Sequence, residues 1–454
     1  MDLLKNLNPI QREAVEYDSG PVLILAGAGS GKTRVLTHRI AYMIKEGGYS
    51  PDRILAVTFT NKAANEMKER IKVLLRSDSH DVEYPKGTRS SPLGGLWIGT
   101  FHSICLRILR KELSLLGLNG DFVIYDESDQ LRVVKECLRE LKLDEKYFNP
   151  RGIISSISRA KDKLLKPGDA LGDSGNFFLD NVSKIYELYQ EKLRINGAMD
   201  FGDLLFETVN ILRNYPDVLK RYQKQFKEVL VDEFQDTNRA QYFLAKILTA
   251  ENANLWVVGD EDQSIYSWRG AEVRNIVDLE KDYPDLKIFR LEQNYRSTGM
   301  ILKAANSLVE KNRERLGKTL WTENTDGEKV AGYRFDNEHR EAMTVGRKIL
   351  DAVEAGKNYK DIAIFYRTNA QSRVIEEGFL RLGIPYAVIS GVKFYERMEI
   401  KDILAYLRVL VNPNDSISLK RIINTPPRGI GKVTQDAISR LAVEEKIPFY
   451  HAIK

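Results

Sequence analysis

The sequence predicts an α/β protein. It has two lobes, each a parallel sheet with helices on both faces, interrupted by helical insertion subdomains. Three observations predict this. Short apolar runs recur along the 454 residues, each followed by a helical pattern. These runs lack polar alternation, as strands do when both sheet faces are covered. They also fall into two series, which implies two α/β lobes.

The first series is PVLILAG (21–27), RILAVTFT (53–60), LWIGTFH (96–102), EVLVDEF (228–234) and NLWVVGD (254–260). Between the third and fourth runs, roughly 104–225 reads as helix alone, including FGDLLFETVNILRN (201–214), so a helical insertion is expected there. The second series is LKIFRLE (286–292), DIAIFYRT (361–368) and PYAVIS (385–390). From about 391 the pattern is helical again, as in EIKDILAYLRVLV (399–411). The polar, Gly/Ser/Pro-rich stretch 77–95 reads as a surface loop.

Composition narrows the class only loosely. Hydrophobic residues at 43% and charged residues at 29% are ordinary for a globular chain, and +5 neither requires nor excludes a polyanionic partner. Cys105 and Cys137 match no zinc spacing and no disulfide framework, and five scattered histidines add no metal cluster. A reducing, cytoplasmic setting follows. The first twenty residues carry charges throughout and hold no long apolar stretch, so no membrane segment is expected.

The first run ends in AGAGSGKT, Ala26 to Thr33, and opens a helix. This is a P-loop. Backbone N–H groups of Gly27, Ala28, Gly29, Ser30 and Gly31 would curl around phosphate oxygens at a helix N-terminus. Lys32 would reach the β- and γ-phosphates of ATP, and the Thr33 hydroxyl would hold Mg²⁺. Ala26 stands where the strict pattern has glycine. In EVLVDEFQDTN a strand delivers Asp232 and Glu233 at its C-terminal end, where open α/β sheets bind ligands. Asp232 suits the Mg²⁺-holding acid and Glu233 a general base for the attacking water. Two adjacent carboxylates suit hydrolysis better than a switch.

GDEDQSIYSWRGA (259–271) follows the next strand. Gln263 can lie beside the γ-phosphate and report its loss. Tyr266, Trp268 and Arg269 interleave aromatics with a cation, the pattern that stacks unpaired bases at ~1–3 kcal/mol each. One loop would then join a phosphate sensor to a nucleic-acid grip. The plainer alternative is that these aromatics are core.

The ordered motifs LNPIQREAV (7–15), AGAGSGKT, TFTNKAANEM (58–67), GTFHS (99–103), VDEFQDTN (231–238), GDEDQSIYSWRGA, LEQNYRST (291–298), FYRTNAQSR (365–373) and KFYERMEIKDILAYLR (393–408) cover nearly the whole chain. In these the chain resembles the superfamily 1 DNA helicases of the UvrD/Rep/PcrA type, nearest the PcrA branch. The resemblance implies that Gln11 reads the adenine edge, Tyr295 stacks on the base, Arg34 lies on the nucleotide side and Arg296 reaches the γ-phosphate. It implies that Phe59, Asn61 and His102 meet single-stranded DNA alongside Tyr266, Trp268 and Arg269. It implies 3′–5′ movement, ss/ds junctions as substrates, protein partners in repair or replication, and action at the cytoplasmic nucleoid.

The implied layout is a RecA-like lobe 1A (1–105 and 193–280), insertion 1B (106–192), RecA-like lobe 2A (281–390) and the start of insertion 2B (391–454). TPPRGIGKVT (425–434) holds a turn that suits duplex phosphates, though a plain interhelical turn fits equally. The family's last motifs would lie past Lys454, so poor ATP hydrolysis and no unwinding are expected of these 454 residues alone. A nucleotide- and DNA-binding fragment without turnover, and the helicase part of a helicase–nuclease, are the alternatives. DFG within MDFGDLL (199–205) imitates a kinase motif, but no catalytic-loop or strand-lysine motif accompanies it. Asp200 is expected to cap a helix instead. Lys62, Lys68, Arg70 and Lys72 alternate with Glu66 and Glu69 and read as a solvated helix face.

Overall fold

A computed structural model of the chain describes residues 3–18, 20–76, 93–117, 122–169, 176–251, 254–267, 270–272, 274–312, 317–389 and 398–453. Most of the loop expected at 77–95 lies outside them. There are two compact units, Met1–Gly327 with Leu404–Lys454, and Glu328–Ile403.

The strands of the first unit are β1 (Val22–Ala26), β2 (Ile54–Thr58), β3 (Trp97–Thr100), β4 (Val123–Tyr125), β5 (Ala198–Asp200), β6 (Glu228–Val231), β7 (Leu255–Gly259) and β8 (Lys287–Leu291). Six form one sheet in the order β3-β2-β6-β7-β1-β8. Every neighbouring pair is parallel. The pleat sends alternate side chains to opposite faces. Leu23, Leu25, Leu55, Val57, Val229 and Val231 enter the core on one face. Val22, Ile24, Ile54, Ala56, Leu230 and Trp256 enter the core on the other. Helices cover both faces, which is why these runs carry no polar alternation.

One strand departs from the sequence reading. The apolar run 286–292 reads as the start of the second series, yet β8 pairs with β1 from Val22↔Lys287 to Ala26↔Leu291. Nothing in an apolar run marks it as the last strand of one sheet or the first of the next. Only its hydrogen-bond partner does.

The stretch 104–225 is mostly helical, but it is not helix alone, because β4 and β5 lie within it and pair only with each other, across 75 residues of chain. Helices Glu127–Glu140, Pro150–Asp162 and Phe177–Ile195 bury Val134, Leu138, Ile157, Ile185 and Tyr186 together. The short parallel pair β4–β5 stands beside them. Ile417, from the helix Ser416–Ile422, joins the same core. Tyr125 donates to Asp415 at 2.7 Å and Arg408 to Asp129 at 2.9 Å across this packing. Cys105 and Cys137 are free and buried. Burial pushes both thiols up to about 12, so they act as core hydrophobes.

In the second unit, helices Glu338–Glu354 and Ala370–Leu382 pack around Ile349, Phe379 and Ile384. The runs expected as strands at 361–368 and 385–390 are not strands among the described residues. Both line one cavity of about 790 Å³ instead of pairing with each other. A strand exists only through its neighbours, and neither run has one here. Among the described residues no helix is long and apolar enough to cross a membrane.

Candidate nucleotide site and nucleic-acid face

Sheet order decides which loops meet. β6, β7 and β1 are consecutive neighbours, so their C-terminal ends emerge side by side. These ends carry Asp232, the Asp260–Gln263 turn and the P-loop.

At the P-loop, Gly29 and Gly31 have φ of +70° and +93°, values a side chain rarely adopts. Gly31 caps the helix Lys32–Lys45 and offers no side chain to its first N–H groups, which are left for another acceptor. A Cβ on Gly31 would lie 2.9 Å from the Gln11 amide. Gln11 is fully buried and donates to the Ser30 carbonyl at 2.9 Å. It also closes a capping box with Asn8. Asn8 donates to the Tyr295 hydroxyl at 2.8 Å, and the Tyr295 N–H donates to the Gly29 carbonyl at 3.0 Å. The Arg34 guanidinium stands 6.0 Å from the Tyr295 ring centre. Tyr295 remains 43% exposed, leaving a ring open for stacking beside Gln11 and Arg34. Asn294 donates to Ala28 and accepts from the N–H groups of Arg296 and Ser297, which sets the Arg296 turn against the P-loop.

Lys32 pairs with Glu233 at 3.0 Å. Glu233 has φ of +49°, a strained backbone for a non-glycine residue and a mark of functional positions. Its carboxylate also accepts from Gln235 at 2.9 Å. Asp232 is buried, and burial together with the adjacent Glu233 charge pushes its carboxyl up to about 6. The same two causes push Asp236 up to about 6, and one buried Asp236 oxygen has no hydrogen-bond partner. Gln263 donates to Asp260. Thr33, in the first turn of the helix Lys32–Lys45, and Asp232, just past the end of β6, offer only oxygen donors. That set fits Mg²⁺, which takes one or two protein ligands and keeps waters and phosphates for the rest.

Of the other predicted residues, Phe59 and Asn61 follow β2, and His102 follows its neighbour β3. Phe59 stacks on Tyr266 with ring centres 4.9 Å apart and planes at 24°. Tyr266 is only half-buried, so the alternative of a core aromatic does not describe it, and Phe59 is half-buried as well. Asn61 is exposed at the start of the helix Asn61–Arg76. His102 meets Phe201 edge-on at 5.9 Å, and Phe201 is 50% exposed. Burial holds the His102 imidazole below its usual pKa, against the pull of Asp200. Trp268 and Arg269 lie outside the described residues.

Several neighbours escaped sequence reading. Phe201 sits in the discarded DFG look-alike. Asp200, as expected, caps the helix Phe201–Asn214, accepting from the Asp203 N–H at 2.8 Å. Beneath it lies a buried Lys161, 2.6 Å from Asp200 and 2.7 Å from Asp203. Gln235 ties two loops together by donating to Glu233 and accepting from the Asp260 N–H. An alternating helix pattern gives no hint that Lys161 points inward.

Residues 7–284 match the UvrD/REP helicase N-terminal domain, and residues 289–450 match the UvrD-like helicase C-terminal domain. The chain is 50% identical over 453 residues to the ATP-dependent DNA helicase PcrA of Bacillus subtilis (strain 168), covering 100% of this chain and 59% of that protein. It is 48% identical over 451 residues to the PcrA of Staphylococcus aureus (strain Mu50 / ATCC 700699), covering 99% of this chain and 60% of that one. The chain thus spans about three fifths of the length of these curated relatives. With both helicase domains matched in order, the chain belongs to the UvrD/REP helicase family.

Proposed function

We propose that this chain is the ATP- and DNA-binding part of an ATP-dependent 3′–5′ DNA helicase and translocase that works on single-stranded DNA and ss/ds junctions. Its layout would be lobes 1A and 2A with insertions 1B and 2B. One observation carries the reading. The loop after β7 holds Gln263 beside Asp260 and, three residues on, Tyr266 stacked on Phe59. A single short loop would therefore link a phosphate-sensing glutamine to a base-stacking aromatic pair.

ATP phosphates would take Lys32 away from Glu233. Glu233, freed and held by Gln235, would orient the attacking water and accept its proton. Thr33 and Asp232 would hold Mg²⁺, which when bound neutralises charge on the phosphate oxygens. Arg296 would reach the same phosphates, while Gln11, Arg34 and Tyr295 would hold the base. Bases would stack at Phe59 and Tyr266, with Asn61, His102, Trp268 and Arg269 extending the track. Such a motor would act at the cytoplasmic nucleoid with repair or replication proteins.

The test is steady-state ATP hydrolysis with and without single-stranded oligonucleotide. Lys32→Ala should abolish turnover while strand affinity stays within about threefold. Tyr266→Ala should weaken strand binding and reduce stimulation. Unchanged stimulation in Tyr266→Ala, or turnover surviving in Lys32→Ala, would refute the reading.

A further inference from the structure

Lys318 belongs to none of the motifs above, yet its ammonium is among the most enclosed charges in the protein. It lies 2.7 Å from Asp260, 2.8 Å from Glu261 and 3.0 Å from Asp262, with its side chain 2% exposed. Glu261 meets it as an ion pair off the hydrogen-bonding direction, since neither Glu261 oxygen has a hydrogen-bond partner. Against its own burial, these carboxylates hold Lys318 firmly protonated.

A cage of this kind is a poor device for stability alone. Desolvating four charges offsets most of their attraction, and apolar residues of the same volume would do as well. What it does supply is geometry. Asp260 is shared: one oxygen faces Lys318 and the other accepts from Gln263. On its own side Lys318 is stitched to the turn that carries Arg296. The Thr319 N–H donates to the Glu292 carboxylate at 2.9 Å and the Trp321 N–H to the Glu292 carbonyl at 3.0 Å. The Asn294 N–H donates to the Trp321 carbonyl at 2.7 Å. Leu320 lies against Gly27 of the P-loop, where a Cβ would come within 2.2 Å of it.

We infer that Lys318 is a positioning residue that couples nucleotide to DNA. It clamps Asp260–Asp262 to the Arg296 turn, so that when Gln263 leaves Asp260 for a phosphate the loop pivots and Tyr266 moves on Phe59. Without the clamp, the loop's first residues would absorb that motion. This rests on the functional reading above.

The experiment measures binding, not turnover. The affinity of a fluorescent single-stranded oligonucleotide is taken without nucleotide, with Mg·ADP and with a non-hydrolysable Mg·ATP analogue, alongside analogue affinity. In the unchanged chain the two nucleotides should give strand affinities differing by about fivefold or more. Lys318→Met should leave analogue affinity and nucleotide-free strand affinity within about twofold, while the ratio collapses to about one. Lys318→Arg, which keeps the charge, should restore part of the ratio.

Should Lys318→Met fail to fold, Lys318→Met with Glu261→Gln removes one stranded acid and should fold yet stay uncoupled. A folded Lys318→Met that keeps the ratio overturns the inference. So do parallel losses in all affinities, or a double variant that also fails to fold, since each makes Lys318 merely structural. An unchanged chain that binds both ligands with a ratio of one overturns the coupling and leaves the functional reading standing. A chain that binds neither ligand overturns the functional reading itself.

Discussion

Replacing Lys161 by methionine tests how the helical insertion is anchored to the start of the helix Phe201–Asn214. Lys161 is 1% exposed, and its partners Asp200 and Asp203 are 6% and 2% exposed. At 2.6–2.7 Å each attraction is about 6 kcal/mol gross at an effective dielectric of ~20, and desolvation of three ions cancels most of the sum. The net value of the triad is therefore small, but its rupture is not. Methionine fills the volume and leaves two carboxylates facing each other without a cation, which should cost about 3–5 kcal/mol.

The pair is poised to respond. Burial and the Asp200 charge already push Asp203 up, while the Lys161 charge keeps Asp200 low despite burial. Without Lys161 both carboxyls should titrate higher, so the deficit shrinks as the pH falls and they take up a proton. Denaturant unfolding followed by circular dichroism across that range is the assay. Lys161→Met with Asp203→Asn should recover much of the loss. A deficit under about 1 kcal/mol at neutral pH, or no recovery in the double variant, would refute the reasoning.

Three further outcomes are expected. Burial, with the Asp200 and Glu272 charges, pushes Asp162 up to about 7 from an ordinary 3.8. The folded chain then holds an extra proton between these values, and stability contributed by Asp162 falls as pH rises through the window. Asp162→Asn keeps an acceptor for Asn238 and should gain about 1–3 kcal/mol above pH 7, read as a flatter melting-temperature profile. Phe59→Ala removes one ring of the stacked pair and should weaken oligonucleotide binding by about 1–3 kcal/mol while leaving ATP-analogue affinity unchanged, measured by anisotropy. Gly31→Ala forces a side chain into φ of +93° and against Gln11, so analogue affinity should drop at least about tenfold, measured by calorimetry.

Residue order alone made the glycine-rich turn and the strand ends around it legible, because their signals are local. A P-loop is a contiguous backbone shape, with glycines where φ is positive and a helix start just after. Asp232 and Glu233 are readable as residues that end an apolar run, and Gln263 as one in the polar turn just past the next. The five runs of the first series all became strands of one sheet for the same reason: burial on both faces leaves a continuous apolar stretch.

What depended on distant partners was not legible. β8 joined the first sheet through hydrogen bonds to β1, and the runs at 361–368 and 385–390 found no ladder among the described residues. Phe201 faced His102, Lys161 turned inward to Asp200 and Asp203, and Lys318 entered the Asp260–Asp262 cage. A charged side chain is buried only where the fold brings it a counter-charge. That meeting joins residues 39 apart for Lys161 and 56 apart for Lys318, beyond the reach of any local pattern.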